Sequence, residues 1–134
     1  FDVGHGAGSF DWAVCEKALA QDFEPTTISS DLHAHNVEGP VYDLVTTISK
    51  FLMLGMSLED ALAKVTEAPA RVAVGQHTGL GTLSPGSEGD AVVLEIEEGD
   101  FPFVDSRWVE RRGTSRLAVR AVVKAGRTVR TNEH

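Results

Sequence analysis

The first thirty-six residues limit the fold more than any other stretch, because their character alternates in a way few architectures allow. Phe1 to Val3 reads as a short apolar strand, followed by the glycine-rich turn Gly4-His5-Gly6-Ala7-Gly8-Ser9. Trp12, Cys15 and Leu19, with alanines among them, recur at spacings of three and four, which predicts a helix over 11–21. Phe23-Glu24-Pro25 stops it, since proline disfavours helical backbone in the residue before it. Thr26 to Ser30 is short and β-branched, a second strand, and it ends at the polar cluster Asp31-Leu32-His33-Ala34-His35-Asn36. Strand, helix and strand within about thirty residues is the length of a βαβ unit.

A stronger helix is predicted after Pro40. Leu44, Ile48, Phe51 and Leu52 form its apolar stripe, and Gly55 is placed to end it. Ser57 caps the next, with Glu59 and Asp60 in the first turn, where the helix dipole favours acids. Leu58, Ala61, Leu62 and Val65 are its expected buried face. Pro69 to Val74 reads as a further short turn closed by Gly75. Beyond that point Gly79, Gly81, Pro85, Gly86 and Gly89 punctuate the chain. Ala91 to Ile96, Leu117 to Val123 and Thr128 to Arg130 read as strands, with Ala125-Gly126 a hairpin turn. The expected organisation is an α/β part over residues 1–76 and a β-rich part over 77–134.

Composition removes several functions. The net charge of −8 and the lack of a long basic run argue against nucleic acid and against a polybasic membrane contact. No apolar run approaches the roughly 20 residues of a membrane span. A single cysteine, Cys15, allows no internal disulfide and fits a reducing, cytoplasmic setting. Because the chain opens at Phe1, already inside a strand, it is expected to be a piece of a longer one.

Two residues stand where chemistry collects in a parallel α/β sheet, at the carboxyl ends of strands: His5 after the first and Asp31 after the second. A neutral imidazole and a carboxylate together suit a borderline divalent ion such as zinc. Such an ion lowers the pKa of the water it holds, and a neighbouring carboxylate can then take up the proton. By spacing alone, a histidine capping a glycine turn and an aspartate capping a helix explain the same pair equally well.

The wording around them adds a resemblance. Phe-Asp-Val-Gly-His-Gly-Ala-Gly-Ser-Phe from Phe1, Thr-Ile-Ser-Ser-Asp-Leu-His from Thr27, and Asp-Leu-Val-Thr-Thr-Ile-Ser-Lys-Phe-Leu from Asp43 resemble the deacetylase-like, dihydroorotase-related branch of the amidohydrolase superfamily. Val65 to Ala70, Leu80 to Leu83, Gly86 and Asp90 to Val93 resemble the superfamily's passage from its barrel into a small β-sandwich. The resemblance implies an α/β fold: the C-terminal part of a metal-dependent (β/α)8 barrel over 1–76, plus part of a β-sandwich domain. It implies one or two divalent metal ions, zinc first among them. His5 would match the sixth-strand metal ligand, and Asp31 the eighth-strand aspartate that holds metal and shuttles the proton. Only 26 positions separate the two, so a seventh strand and helix would be reduced or absent.

The implied activity is hydrolysis of an amide or ester bond, with deacetylation of a small N- or O-acyl compound as the leading reading. Cyclic-amide hydrolysis and deamination are the alternatives within the superfamily. A non-catalytic module that completes a barrel or an oligomer is the alternative outside it, and a homo-oligomer is allowed under either. The piece alone lacks the other expected ligands and exposes two strand edges, so it is expected to be inactive and to fold poorly by itself.

His33, directly after the aspartate's strand, is expected to face the pocket and contact substrate. His35 forms a His-x-His with it, but is expected to be an exposed loop residue. Cys15 reads as a small buried apolar group rather than a nucleophile, Lys50 as a snorkelling surface lysine, and the basic stretch 107–116 as a solvated loop or subunit contact. His77 and His134 read as loop and tail.

Overall fold

The structure, a computed structural model, describes residues 1–74 and 79–129 of the 134. His77, Gly75, Arg130 and His134 lie outside the described residues. Strand β1 (Asp2–Gly4), helix α1 (Trp12–Leu19) and strand β2 (Thr27–Ser29) form the expected unit. The two strands pair directly and in parallel, with Val3 opposite Ile28. Asp11 caps α1, its carboxylate accepting from the Val14 N–H at 3.0 Å.

Helix α2 (Leu44–Met53) is capped by Asp43, and Gly55 beyond its end takes a φ of +94°. Helix α3 (Leu58–Val65) has Ser57 as its cap and Ala61 as its fully buried contact. Helix α4 (Glu67–Val74) begins two residues earlier than the proline suggests. Pro69 is tolerated in the first turn because an N–H there has no partner inside the helix.

The β-rich part departs further from expectation. Strand β3 (Ala91–Val104) and strand β4 (Glu110–Lys124) are 14 and 15 residues long and run antiparallel, with β5 (Arg127–Val129) beyond β4. The stretch read as a solvated basic loop is therefore the distal half of a long hairpin. Its arginines form a cross-strand ladder: Arg112 pairs with Asp100, Arg116 with Glu97, and Arg120 with Glu95 and Glu97. The Ala125-Gly126 turn is as expected, with φ of +50° and +73°, the conformation a two-residue hairpin prefers.

Two core clusters tie these pieces together. Phe10, Trp12, Ile28 and Phe51 pack with Phe103 from the hairpin. Ile48 and Ala61 pack with Leu117 of β4. Ser49 adds a polar stitch between α2 and β4, its hydroxyl accepting from Leu117 N at 2.9 Å and donating to Val45 O. Among the described residues, no helix is long and apolar enough to cross a membrane.

Candidate functional site

The carboxyl ends of β1 and β2 carry two different environments. At the rim, Asp31 follows β2 by two residues and is exposed, with a left-handed φ of +49°. That conformation costs a non-glycine residue on the order of 1 kcal/mol. Asn36 helps to hold it, its Nδ2 donating to the Asp31 carbonyl at 2.9 Å. Among the described residues the Asp31 carboxylate has no hydrogen-bond or ion-pair partner. It lies over Gly6, where an added Cβ would come within 2.7 Å of Oδ2. Gly6, at φ +50°, is the one residue type that leaves that space open without backbone strain.

His33 is exposed on the same rim. Its N–H donates to Asn36 Oδ1 at 2.8 Å, and its Nδ1 accepts from His35 N at 3.2 Å. The two rings meet edge to face with centroids 5.9 Å apart. The backbone turns at residues 34–40, so the pair is not an extended His-x-His with both side chains aligned. His35 is exposed, as expected.

Beneath the rim is a closed floor. His5 is fully buried, with its ring stacked on Phe10 at 4.7 Å. Its Nδ1 lies 2.9 Å from the Gly6 carbonyl, which can only accept, so Nδ1 carries the hydrogen and Nε2 the lone pair. Lys50 Nζ donates to that lone pair at 2.7 Å. The other two ammonium hydrogens go to Pro40 O at 2.7 Å and Val104 O at 2.6 Å. Lys50 is thus fully buried, not a surface residue. Desolvation pushes its pKa down to about 8, against the pull of the Asp105 and Asp43 charges. Desolvation also lowers His5 to about 4, and the Lys50 charge adds to that while the Gly6 carbonyl opposes it. At neutral pH the pair is therefore an imidazole facing an ammonium.

Asp105, which sequence reading passed over, closes the floor from the hairpin. Burial pushes its carboxyl up, but N–H donors from Val109, Arg107 and Trp12 outweigh that and hold it below the usual carboxylate range. The sequence held one signal for Lys50: it is the sole charged residue in α2, so that helix has no charged face for solvent.

Cys15 packs half-buried against the core, and desolvation followed by the Glu16 charge pushes its thiol up to about 11, as suits an inert small apolar group. A cleft beside it, between β1 and α1, is lined by Phe1, Val3, Phe10 and Phe23 and contains neither Asp31 nor His33.

The direct β1–β2 ladder fixes how the two motif strands are related. The strand bearing His5 is the immediate neighbour of the strand bearing Asp31, with one helix between them. Among the described residues no further strand lies between them, in keeping with the 26 positions that separate His5 from Asp31. Among the described residues, no group of three or more His, Cys, Asp or Glu side chains is placed to hold a metal. Asp31, open and unpartnered, fits as one donor to a divalent ion; His5, with both ring nitrogens engaged, does not.

No family model matches the chain. It is 37% identical over 105 residues to a deacetylase of Brucella anthropi, covering 78% of this chain and 26% of that protein. A deacetylase of Enterococcus faecalis is 38% identical over 113 residues, covering 83% and 30% respectively. A third, from Agrobacterium fabrum, is 38% identical over 105 residues, covering 78% and 25%. The chain thus spans between a quarter and a third of the length of these curated relatives. Among solved structures, an adenine deaminase superimposes with a TM-score of 0.92 at 32% identity, covering 98% of this chain and 35% of that one. A dihydroorotase does so with a TM-score of 0.83 at 32% identity, covering 96% and 35%. Sequence and fold together show that the chain is similar to the C-terminal part of deacetylases and to an adenine deaminase and a dihydroorotase, both members of the amidohydrolase superfamily.

Proposed function

We propose that this chain is the C-terminal part of a metal-dependent hydrolase of amide or ester bonds, which removes an acetyl group from a small N- or O-acyl compound. The observation that carries the proposal is Asp31: an exposed carboxylate at the carboxyl end of a parallel strand, in a left-handed conformation, with its side chain unpartnered among the described residues. Backbone strain of this kind persists where the surroundings impose it, and it gathers at functional positions. The names of the curated relatives support deacetylation. The deaminase and dihydroorotase neighbours keep deamination and cyclic-amide hydrolysis as the second reading.

In this proposal residues 1–76 close a (β/α)8 barrel, and 77–134 supply part of a β-sandwich and the tail. One or two divalent ions, zinc first among them, would supply Lewis acidity toward an acyl carbonyl when bound. Asp31 would hold an ion and accept, then return, the proton at its carboxylate. His33, with its backbone fixed by Asn36 and its ring exposed, would contact the acyl substrate. The remaining donors would come from other parts of a longer chain.

The test is elemental analysis of the full-length natural chain carrying this sequence, with an Asp31→Asn variant assayed on acetyl esters and amides. Asparagine tolerates the left-handed backbone, so the substitution removes the charge and leaves the turn in place. The expected result is about one or two zinc ions per chain and a loss of roughly 10²- to 10⁴-fold in hydrolysis. A chain without metal, or hydrolysis untouched by the substitution, would refute the catalytic reading in favour of a scaffold module.

A further inference from the structure

We infer that His5 is not a metal ligand but, with Lys50, a buried positioning residue that fixes the floor on which the Asp31 carboxylate rests. The inference deepens the hydrolase reading and rests on it.

Valence makes the first case. His5 has one lone pair, on Nε2, and Lys50 Nζ already fills it at 2.7 Å. An ion at that nitrogen would have to displace an ammonium whose other hydrogens are held by Pro40 O and Val104 O. Lys50 is completely enclosed, so the displaced charge has no solvent to enter. If it stayed, a divalent ion and an ammonium would share one buried site, and like charges in such surroundings repel strongly.

Direction makes the second. Gly4 and Gly6 turn toward Asp31 the sides on which a Cβ would stand, at 3.7 Å from its Cβ and 2.7 Å from its Oδ2 respectively. His5 lies between them, and its ring goes the other way, beneath Phe10. Although adjacent in the motif, the His5 ring thus makes its contacts with Phe10 and Lys50, while the Asp31 carboxylate lies over Gly6.

The positioning role follows from what the His5 backbone does. Its N–H donates to Ser29 O at 3.0 Å, and Gly6 N donates to Ser30 O at 3.0 Å, so the ladder runs to the residue before Asp31. The His5 carbonyl accepts from Ser9 N at 3.3 Å and from the Ser106 hydroxyl at 3.4 Å. The ring, pinned by Lys50 to the Pro40 turn and to the end of β3, holds this segment from below. Gly6 then presents a bare surface to the carboxylate above.

The experiment compares His5→Gln, His5→Leu and Asp31→Asn in the full-length natural chain, by metal content and by the absorption spectrum of the cobalt-substituted protein. Glutamine keeps an acceptor for Lys50 but replaces the imidazole, and leucine removes the acceptor. Expected for His5→Gln are unchanged metal stoichiometry, an unchanged cobalt spectrum and a melting temperature near that of the parent. Expected for His5→Leu is a melting temperature lower by about 5 °C, and for Asp31→Asn an altered cobalt spectrum. A folded His5→Gln protein that loses a metal equivalent, or changes its cobalt spectrum as Asp31→Asn does, overturns the inference. A reading that needs no variant stands beside these: the ¹⁵N resonance of His5 Nε2 should hold its position when zinc is stripped by a chelator, and a large displacement overturns the inference. If the parent chain holds no metal at all, the hydrolase reading falls. The His5–Lys50 tie is then upheld by a melting temperature retained in His5→Gln and lost in His5→Leu, and overturned if the two variants melt alike.

Discussion

The floor under β1 and the rim above it are built from residues a few positions apart, yet they handle polar groups in opposite ways. In the floor every donor and acceptor is spent: Lys50 uses all three hydrogens, His5 both nitrogens, and the Asp105 carboxylate accepts three backbone N–H groups. At the rim, Asp31 sits in a costly backbone conformation with its carboxylate free among the described residues, and His33 is exposed. Burial explains the contrast, because an unpaired polar group costs about 1–3 kcal/mol inside a protein and almost nothing in water. A group left free at a strained, wet position is available for chemistry; one that is saturated in the interior is available for holding shape.

If that division is right, breaking the floor should cost stability and breaking the rim should not. Lys50→Met removes three hydrogen bonds and leaves His5 Nε2, Pro40 O and Val104 O without a donor in the interior. The expected loss is about 3–5 kcal/mol, from about 1–3 kcal/mol for each buried acceptor left unpaired, read as a lower urea midpoint for the full-length chain. With metal stripped from both proteins by a chelator, Asp31→Asn should stay within about 0.5 kcal/mol of the parent. A Lys50→Met protein as stable as the parent would erase the distinction, since a buried lysine with dispensable bonds holds nothing together.

Much of this molecule could be read directly from its residues, and what escaped did so for physical reasons. The Asp11 and Ser57 caps, the stop at Gly55 and the Ala125-Gly126 turn all depend on interactions within a few residues, and the βαβ unit shows in the local patterns of its three pieces. The hairpin beyond Ile96 hid because its alternation breaks where the register shifts between Glu98 and Phe101, and because Arg116 and Arg120 are neutralised by the partner strand and Arg111 by Glu16 of α1, all far away in sequence. Lys50 hid because its partners lie 45, 10 and 54 positions away and lysine is seldom buried. His5 and Asp31 were found as motif residues, yet the motif could not say that one faces inward and the other outward. That depends on Phe10 stacking on the His5 ring and Lys50 bonding its Nε2.

A pH titration of stability sharpens the same comparison. His5 has a folded pKa of about 4, below its ordinary 6.5. As pH falls below 6.5 the unfolded chain takes up a proton there that the folded chain refuses until about pH 4. Stability should therefore decline across that window, by up to about 3 kcal/mol from this residue, and be flat with respect to His5 above it. Lys50 acts on the alkaline side: its folded pKa of about 8 lies below the ordinary 10.5, so the penalty for burying its charge eases as pH rises between those values. Melting temperatures of the parent and of His5→Gln from pH 7 to pH 4 would check the acid limb. The two curves should diverge as pH drops, and parallel curves would show that His5 does not remain neutral in the fold.

The smallest expected effect separates the two rim histidines. His33 has its backbone N–H tied to Asn36 and its Nδ1 committed to the His35 N–H, which leaves its Nε2 edge toward solvent. His35 contributes that backbone N–H, which any residue but proline can supply. His33→Ala should therefore raise KM for an acetylated substrate by about tenfold, the worth of one modest hydrogen bond, with little change in melting temperature. His35→Ala should alter neither. The contrast between the two variants carries more than either value: equal losses would mean that the ring–ring contact at 5.9 Å shapes the rim as a unit. A loss confined to His35→Ala would move the substrate contact one turn further along the loop and leave His33 as its support.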